Sequence, residues 1–361
     1  MIISKASDFP IFKTKTPGIT QKFNLNSPAE RKIYFQAKLG PELAKIREYL
    51  ARDRAFIGFL IGKKNSGKGT YSKLFMEAVG SGKVGHLAVG DLVRDIHKSL
   101  ETDAGQTQLM EFLKKNYRGF HSLDEVLDLI LGRNQTSLIS SELILALIKF
   151  EISKRPRQAL FVDGFPRAFD QIQYSLFFKE LIGYPGELDF LTFISVPDSI
   201  IDERIKYRVV CPICNTPRNL KLLATKEVGH DEATGEFYLK CDNPNCHQAR
   251  MVKKEGDQLG IEPIRKRLEV DAQIFNQLLT LSGIPKVYLR NSVPVDKATE
   301  AVDDYELTPS YEYELDPATK KVRTKETPWT VKDDDGVLSY SLLPPAVVVS
   351  LVKQVTEVLG L

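Results

Sequence analysis

Gly62-Lys63-Lys64-Asn65-Ser66-Gly67-Lys68-Gly69-Thr70 directly follows the apolar run Ala55-Phe56-Ile57-Gly58-Phe59-Leu60-Ile61. A buried strand therefore opens into a glycine-rich turn ahead of a helix, the setting in which such a turn cradles phosphate. Successive main-chain N–H groups point inward, the helix adds the positive end of its dipole, and Lys68 brings a full charge to the outer phosphates. Gly62, Asn65, Ser66, Gly67, Lys68, Gly69 and Thr70 are thus read as a site for a nucleoside polyphosphate. The competing reading, an ordinary strand-to-helix turn, does not account for the Gly-Lys-Gly-Thr ending.

Outward from this loop, short apolar runs at 55–61, 84–89, 159–163, 189–195 and 286–290 alternate with longer amphipathic stretches. The alternation predicts a parallel five-stranded sheet with helices on both faces, whose ligands sit beyond the carboxyl ends of the strands. Ser122-Leu-Asp-Glu125 reads as a capping box, Pro263 as the first turn of a helix ending before Gly283, and Pro344-Pro345 as the start of a last helix. Two stretches look added. Residues 1–51 open irregularly and then predict an N-cap at Ser27 and two helices separated by Gly40-Pro41. Residues 303–342 alternate as strands, with turns at Asp316-Pro-Ala-Thr and Asp335-Gly336, and read as an antiparallel appendage packed on the core; its aromatics offer the alternative of a partner surface.

The bulk numbers exclude some classes. Of 361 residues, 50 Lys plus Arg stand against 47 Asp plus Glu, a balance of +3 that points to no nucleic-acid or membrane partner. No apolar run reaches the ~18 residues of a membrane span and no leader pattern appears, so a cytoplasmic protein is expected. A monomer is a separate expectation, with the added segments as the place for any partner. The four cysteines are too few for a disulfide scaffold. Cys211-Pro-Ile-Cys214 and Cys241-Asp-Asn-Pro-Asn-Cys246 instead read as a closed, structural Zn2+ site, with His247 as a substitute ligand.

Two further stretches follow strands: His86-Leu-Ala-Val-Gly-Asp-Leu-Val-Arg94 and Val162-Asp-Gly-Phe-Pro-Arg-Ala-Phe-Asp-Gln171. With Gly-Lys-Gly-Thr, with Asp202-Glu-Arg-Ile-Lys-Tyr-Arg208 and with Ile264-Arg-Lys-Arg-Leu-Glu269, the chain over about 55–295 resembles the adenylate kinase family of nucleoside monophosphate kinases. The cysteine insert resembles the zinc-bearing lid of many bacterial members. The resemblance implies transfer of a phosphoryl group from ATP to AMP, carried by Lys68, Arg94, Arg167, Arg204, Arg208 and Arg267. It places Arg204 and Arg208 at ATP, on one face of a helix by their i, i+4 spacing, and Val89, Arg94, Gly164, Arg167 and Gln171 at AMP. Asp163 would orient water on Mg2+. Gln171 suits an adenine edge, whereas Val89 replaces a family hydroxyl and leaves a UMP/CMP or broad-specificity kinase as an alternative. Lys64 and Asn65 depart from the family's loop, and Lys254 stands in place of an arginine. From a different class, a non-catalytic nucleotide-binding interaction protein would account for the added segments.

The implied organisation is an extension (1–51), core pieces (52–90, 156–208, 258–302), an enlarged acceptor lid (91–155), a zinc-binding ATP lid (209–257), a β insertion (303–342) and a closing core helix (343–361).

Overall fold

The computed structural model describes residues 9–80, 82–131 and 139–361; residues 1–8, 81 and 132–138, in the expected extension, core and acceptor lid, lie outside the described residues. Helix α1 (Pro28–Ala51) leads into β1 (Phe56–Gly62), α2 (Lys68–Val79) and β2 (Val84–Ala88). Among the described residues four helices follow, α3 (Val89–Ser99), α4 (Asp103–Asn116), α5 (Leu123–Ile130) and α6 (Ser141–Ser153), before β3 (Ala159–Asp163). The chain continues through α7 (Phe169–Leu176), α8 (Phe178–Leu181), β4 (Leu188–Ser195) and α9 (Asp198–Lys206).

The cysteine insert holds β5 (Arg208–Val210), β6 (Pro217–Asn219), β7 (Val228–His230), β8 (Phe237–Leu239) and β9 (Val252–Lys253). After it come α10 (Arg265–Leu279), β10 (Lys286–Arg290), β11 (Ser292–Pro294) and α11 (Val295–Ala301). The added strands are β12 (Pro309–Leu315), β13 (Val322–Pro328), β14 (Thr330–Lys332) and β15 (Leu338–Ser341), and α12 (Pro344–Val358) ends the chain.

The main sheet has the order β10-β4-β1-β3-β2, with every pairing parallel. Register sets Leu60 beside Asp163 and Gly62 beside Ile194, so the phosphate loop and Asp163 leave the sheet at the same carboxyl edge. Residues 56–61 are all buried because both faces of β1 are covered by helices. Phe56 and Phe75 pack against Phe161 with ring centroids 5.5 and 5.0 Å apart. Helix α12, buried along Ala346–Val349 and at Leu351, Val352 and Val355, lies against α1, α2 and β10. Among the described residues no helix is long and apolar enough to cross a membrane.

Four local expectations change. Residues 28–51 form one helix with Pro41 inside it, rather than two. An interior proline costs a helix about 3 kcal/mol, and the continuous stripe Tyr34, Phe35, Leu39, Leu43, Ile46 and Leu50, buried on the core, outweighs it. Ser27 flanks this helix in extended conformation but makes no side-chain cap bond. Pro263 belongs to a short 3-10 turn that precedes α10. The capping box at Ser122 and Glu125 forms as expected.

The fourth change concerns the appendage. It divides into a β11-β15-β14 sheet and a β12-β13 hairpin, and the hairpin packs on the cysteine insert instead of the core. On β15 it is the serine face that is buried, Ser339 and Ser341, with Leu338 half exposed. The extension and the added segment also hold each other. Lys38, fully buried, donates to Asp303 at 2.6 Å, while Tyr34 and Thr14 both donate to the buried Glu306 at 2.5 Å.

Candidate functional site

The phosphate loop takes its shape from three residues. At Gly62 a Cβ would come within 2.9 Å of Ser66 Oγ and 3.0 Å of the Ile194 carbonyl, so only glycine lets the loop fold back on the sheet. Asn65 has φ +65° and Gly67 φ +102°, and asparagine is among the few side chains that enter this left-handed region easily. Lys68 opens α2, with its ammonium turned back on the carbonyls of Gly62 at 2.8 Å and Lys63 at 3.0 Å. Burial lowers its pKa, and Asp163 Oδ1, 3.9 Å away, partly offsets this. Ser66 Oγ and Asp163 Oδ1 are buried without a hydrogen-bond partner in the protein, in a place where unsatisfied oxygens are costly.

Two hollows meet at Asn65, Lys68 and Asp163. The smaller, about 160 Å³, is lined by Lys64, Gly164, Arg167, Arg267 and Asp271 beside the loop. Arg167 lies close over Gly164, and burial lowers its pKa, aided by the Arg267 charge. Its main-chain N–H donates to Gln171 Oε1 at 2.7 Å, which fixes the orientation of that buried amide. Arg267 Nε contacts Asp271 Oδ1 at 3.4 Å, and Glu262 pairs with Arg265 instead. Asp271 was missed in the sequence. Its signal is the i, i+4 spacing from Arg267, and it also accepts the Lys64 N–H at 3.2 Å. Lys64 itself is partly desolvated in the company of Arg267, Arg208, Lys254 and Arg167, all of which depress its pKa after burial.

The larger hollow, about 530 Å³, holds Ser66 to Thr70, Arg204 and Arg208 on its polar side and Leu222, Leu223, Leu342 and Leu343 on its apolar side. Arg204 and Arg208 do not share a helix face, because α9 stops at Lys206 and Arg208 begins β5. They still converge on one cavity. Arg204 donates to the Asn65 carbonyl at 3.3 Å and to Asn291 Oδ1 at 3.2 Å, and Arg208 makes a two-pronged pair with Asp257 at 2.7 Å on each arm.

Of the expected acceptor residues, Gly164 and Arg167 line the smaller hollow, while Val89, Arg94 and Gln171 line neither. Arg94 is 69% exposed and paired with Asp91 one turn earlier on α3; Val89 is buried.

In the insert, the sulfurs of Cys211, Cys214, Cys241 and Cys246 all lie within 4.8 Å of one another, and His247 is not in the cluster. Cys214 and Cys241 are 3.7 Å apart, close to the edge of about 3.8 Å implied by tetrahedral Zn–S bonds. Hydrogen bonding with Thr216 brings the Cys214 thiol down to about 6, while burial pushes Cys246 up to about 12. The geometry is compatible with Zn2+, whose charge would hold all four as thiolates.

No protein-family model matches this chain. Curated relatives that it matches include adenylate kinases. That of Thermotoga petrophila is 28% identical over 217 residues, 60% of this chain and 80% of the relative. That of Francisella philomiragia is 25% identical over 249 residues, 61% of this chain and 98% of the relative.

Proposed function

We propose that this chain, a homologue of the adenylate kinases, is a nucleoside monophosphate kinase that transfers the terminal phosphoryl group of ATP to AMP. The observation that carries the reading is the meeting of the two hollows at Asn65, Lys68 and Asp163, ringed by arginines from separate elements. Phosphoryl transfer needs little covalent chemistry from a protein; it needs donor and acceptor oxygens held in line, charge neutralised and water kept out.

In this reading the larger hollow takes ATP, with its base and ribose between Leu222 and Leu342–Leu343 and its phosphates along Gly67–Thr70. Lys68 exchanges its carbonyl contacts for phosphate oxygens. Arg204 and Arg208 cover the donor, and Arg167 and Arg267 face the acceptor phosphate across the junction. Asp163 suits a water on a magnesium ion, and its buried Oδ1, which makes no hydrogen bond in the protein, supports that role. Magnesium, when bound, would supply positive charge that offsets the charge of the phosphates. The four cysteines would hold structural zinc, which would reinforce the insert's small core of Val209, Leu239 and Met251 around them. Treatment with a strong chelator is expected to lower the Tm of the insert and to raise KM for ATP before it affects AMP; an unchanged melting curve speaks against bound metal.

AMP as acceptor rests on Gln171, whose fixed amide offers an adenine-type edge. Val89, buried and without a hydroxyl, favours the second reading of looser base choice. A coupled assay of ADP formation with AMP, UMP, CMP and GMP tests both. Steady turnover fastest with AMP is expected; a pyrimidine preference defeats the AMP assignment, and nucleotide binding without turnover defeats the kinase.

A further inference from the structure

The larger hollow has two apolar walls from distant parts of the chain. One is Leu222 and Leu223, in the turn that follows β6 of the cysteine insert; the other is Leu342, Leu343 and Pro344, where the added strands run into α12. The added segment also reaches over to the first wall. The Tyr311 N–H donates to the Lys221 carbonyl at 2.8 Å, and the Tyr313 hydroxyl donates to the Leu220 carbonyl at 2.5 Å. Tyr313 packs on the small core around the cysteines and meets Phe237 with ring centroids 5.8 Å apart. Toward the hairpin tip, Lys320 pairs with Glu232 at 3.4 Å.

The gripped turn is itself wired to an arginine of the site. Asn219 Oδ1 accepts from the N–H groups of Lys221 and Leu222, and its Nδ2 donates to the carbonyls of Glu203 and Arg204. From the opposite wall, Ser341 Oγ donates to Asn291 Oδ1 at 2.8 Å, the same oxygen that receives Arg204. The added segment thus bears on Arg204 and on the apolar slot from both sides.

We propose that the β12-β13 hairpin is a clasp that keeps the donor-nucleoside slot shaped before nucleotide arrives, with Tyr313 as the positioning residue that holds the Leu220–Leu223 turn. The identity of the ligand, a purine nucleoside triphosphate, rests on the kinase reading above; the clasp itself does not. Fixing a residue's backbone costs about 1–2 kcal/mol. A turn ordered by folding spares that cost at binding, so the clasp's benefit falls on donor affinity and leaves the acceptor alone.

The test is hydrogen exchange over residues 218–224 in nucleotide-free protein, together with calorimetry of ATP alone and of AMP alone. Tyr313→Phe keeps the ring and removes only the hydroxyl. It is expected to speed exchange in that segment and to weaken ATP by about three- to tenfold, the worth of one hydrogen bond, with AMP affinity within about twofold. Replacing 311–326 by a short Gly-Ser turn should act in the same direction and further. Exchange and ATP affinity unchanged in Tyr313→Phe overturn the clasp, whether or not the shortened variant folds. If the wild type turns over no monophosphate, the kinase reading falls, while the exchange result still decides the clasp.

Discussion

The donor and acceptor ends of the site are built differently. At the donor end, Arg204 and Arg208 are held by residues distant in sequence, Asn65, Asn291 and Asp257, and the walls come from the insert and the added strands. On the side read as the acceptor end, Arg94 stands in solvent, paired among the described residues with Asp91 of its own helix. An exposed pair of this kind is worth about 0–1 kcal/mol, so a phosphate dianion readily outbids the carboxylate. On the proposed reading, the donor arginines are set by folding, and on the acceptor side Arg167 and Gln171 are set too, so Arg94 alone of the proposed set would be placed by its ligand. In that reading an acceptor nucleotide would have to draw Arg94 inward from Asp91, whereas a donor nucleotide would find Arg204 and Arg208 already held.

Lys68, at the junction, belongs to both ends and should give the largest effect. Lys68→Ala is expected to reduce kcat by about 10²- to 10³-fold or more, the scale for removing a preorganised charge donor, with little change in Tm because a buried cation's desolvation is relieved. Steady-state kinetics beside a melting curve check this; near-normal turnover removes the mechanism. Next in size is the support of the donor wall. Lys38→Met leaves Asp303 and Glu306 without their buried cation and should destabilise by about 3–5 kcal/mol in denaturant unfolding. A loss below about 1 kcal/mol would mean that the extension and the added segment fold independently of each other.

Arg94→Met addresses the acceptor end directly. If Arg94 swings onto the acceptor phosphate, KM for AMP should rise by about 10- to 100-fold, as for loss of a charged hydrogen bond, with ATP affinity measured alone unchanged. An unaltered KM for AMP would leave Arg94 as the surface residue it is beside Asp91, and the contrast between the two ends would then be one of composition, not of timing.

The parts of the fold that were legible in the sequence are those governed by local rules. The five strands fall where the apolar runs lie, within a residue or so at each end, because burial on both faces writes itself as unbroken hydrophobicity. Asn65 takes the left-handed conformation that its side chain tolerates. What was illegible depends on long-range packing. Gly40-Pro41 reads as a break, yet a core stripe that only the folded chain supplies carries α1 through it. The i, i+4 spacing of Arg204 and Arg208 suggests one helix face, yet the helix ends between them and Asp257, some fifty residues on, turns Arg208 into place. The hairpin's partner could not be read at all, since Tyr311 and Tyr313 alternate identically whether they meet the core, the insert or another protein. Asp271 went unnoticed for a simpler reason: one carboxylate on an amphipathic helix looks like any solvated charge until Lys64 and Arg267 are seen beside it.

The smallest effect sharpens the comparison most. Val89 sits buried at the start of α3, five residues before Arg94, at the position where the family resemblance expects a hydroxyl. Val89→Thr is nearly isosteric and adds one hydroxyl. If that hydroxyl meets the acceptor base, the ratio of kcat/KM for AMP over UMP should rise by about two- to tenfold, the worth of one neutral hydrogen bond, while KM for ATP stays fixed. If instead Val89 is purely a core residue, the hydroxyl is buried without a partner, Tm falls by an amount matching about 1–3 kcal/mol, and the ratio does not move. The two outcomes are opposite in kind. The first would bring the start of α3 into base choice; the second would leave it to Gln171, whose amide is likewise set by folding through the Arg167 main chain.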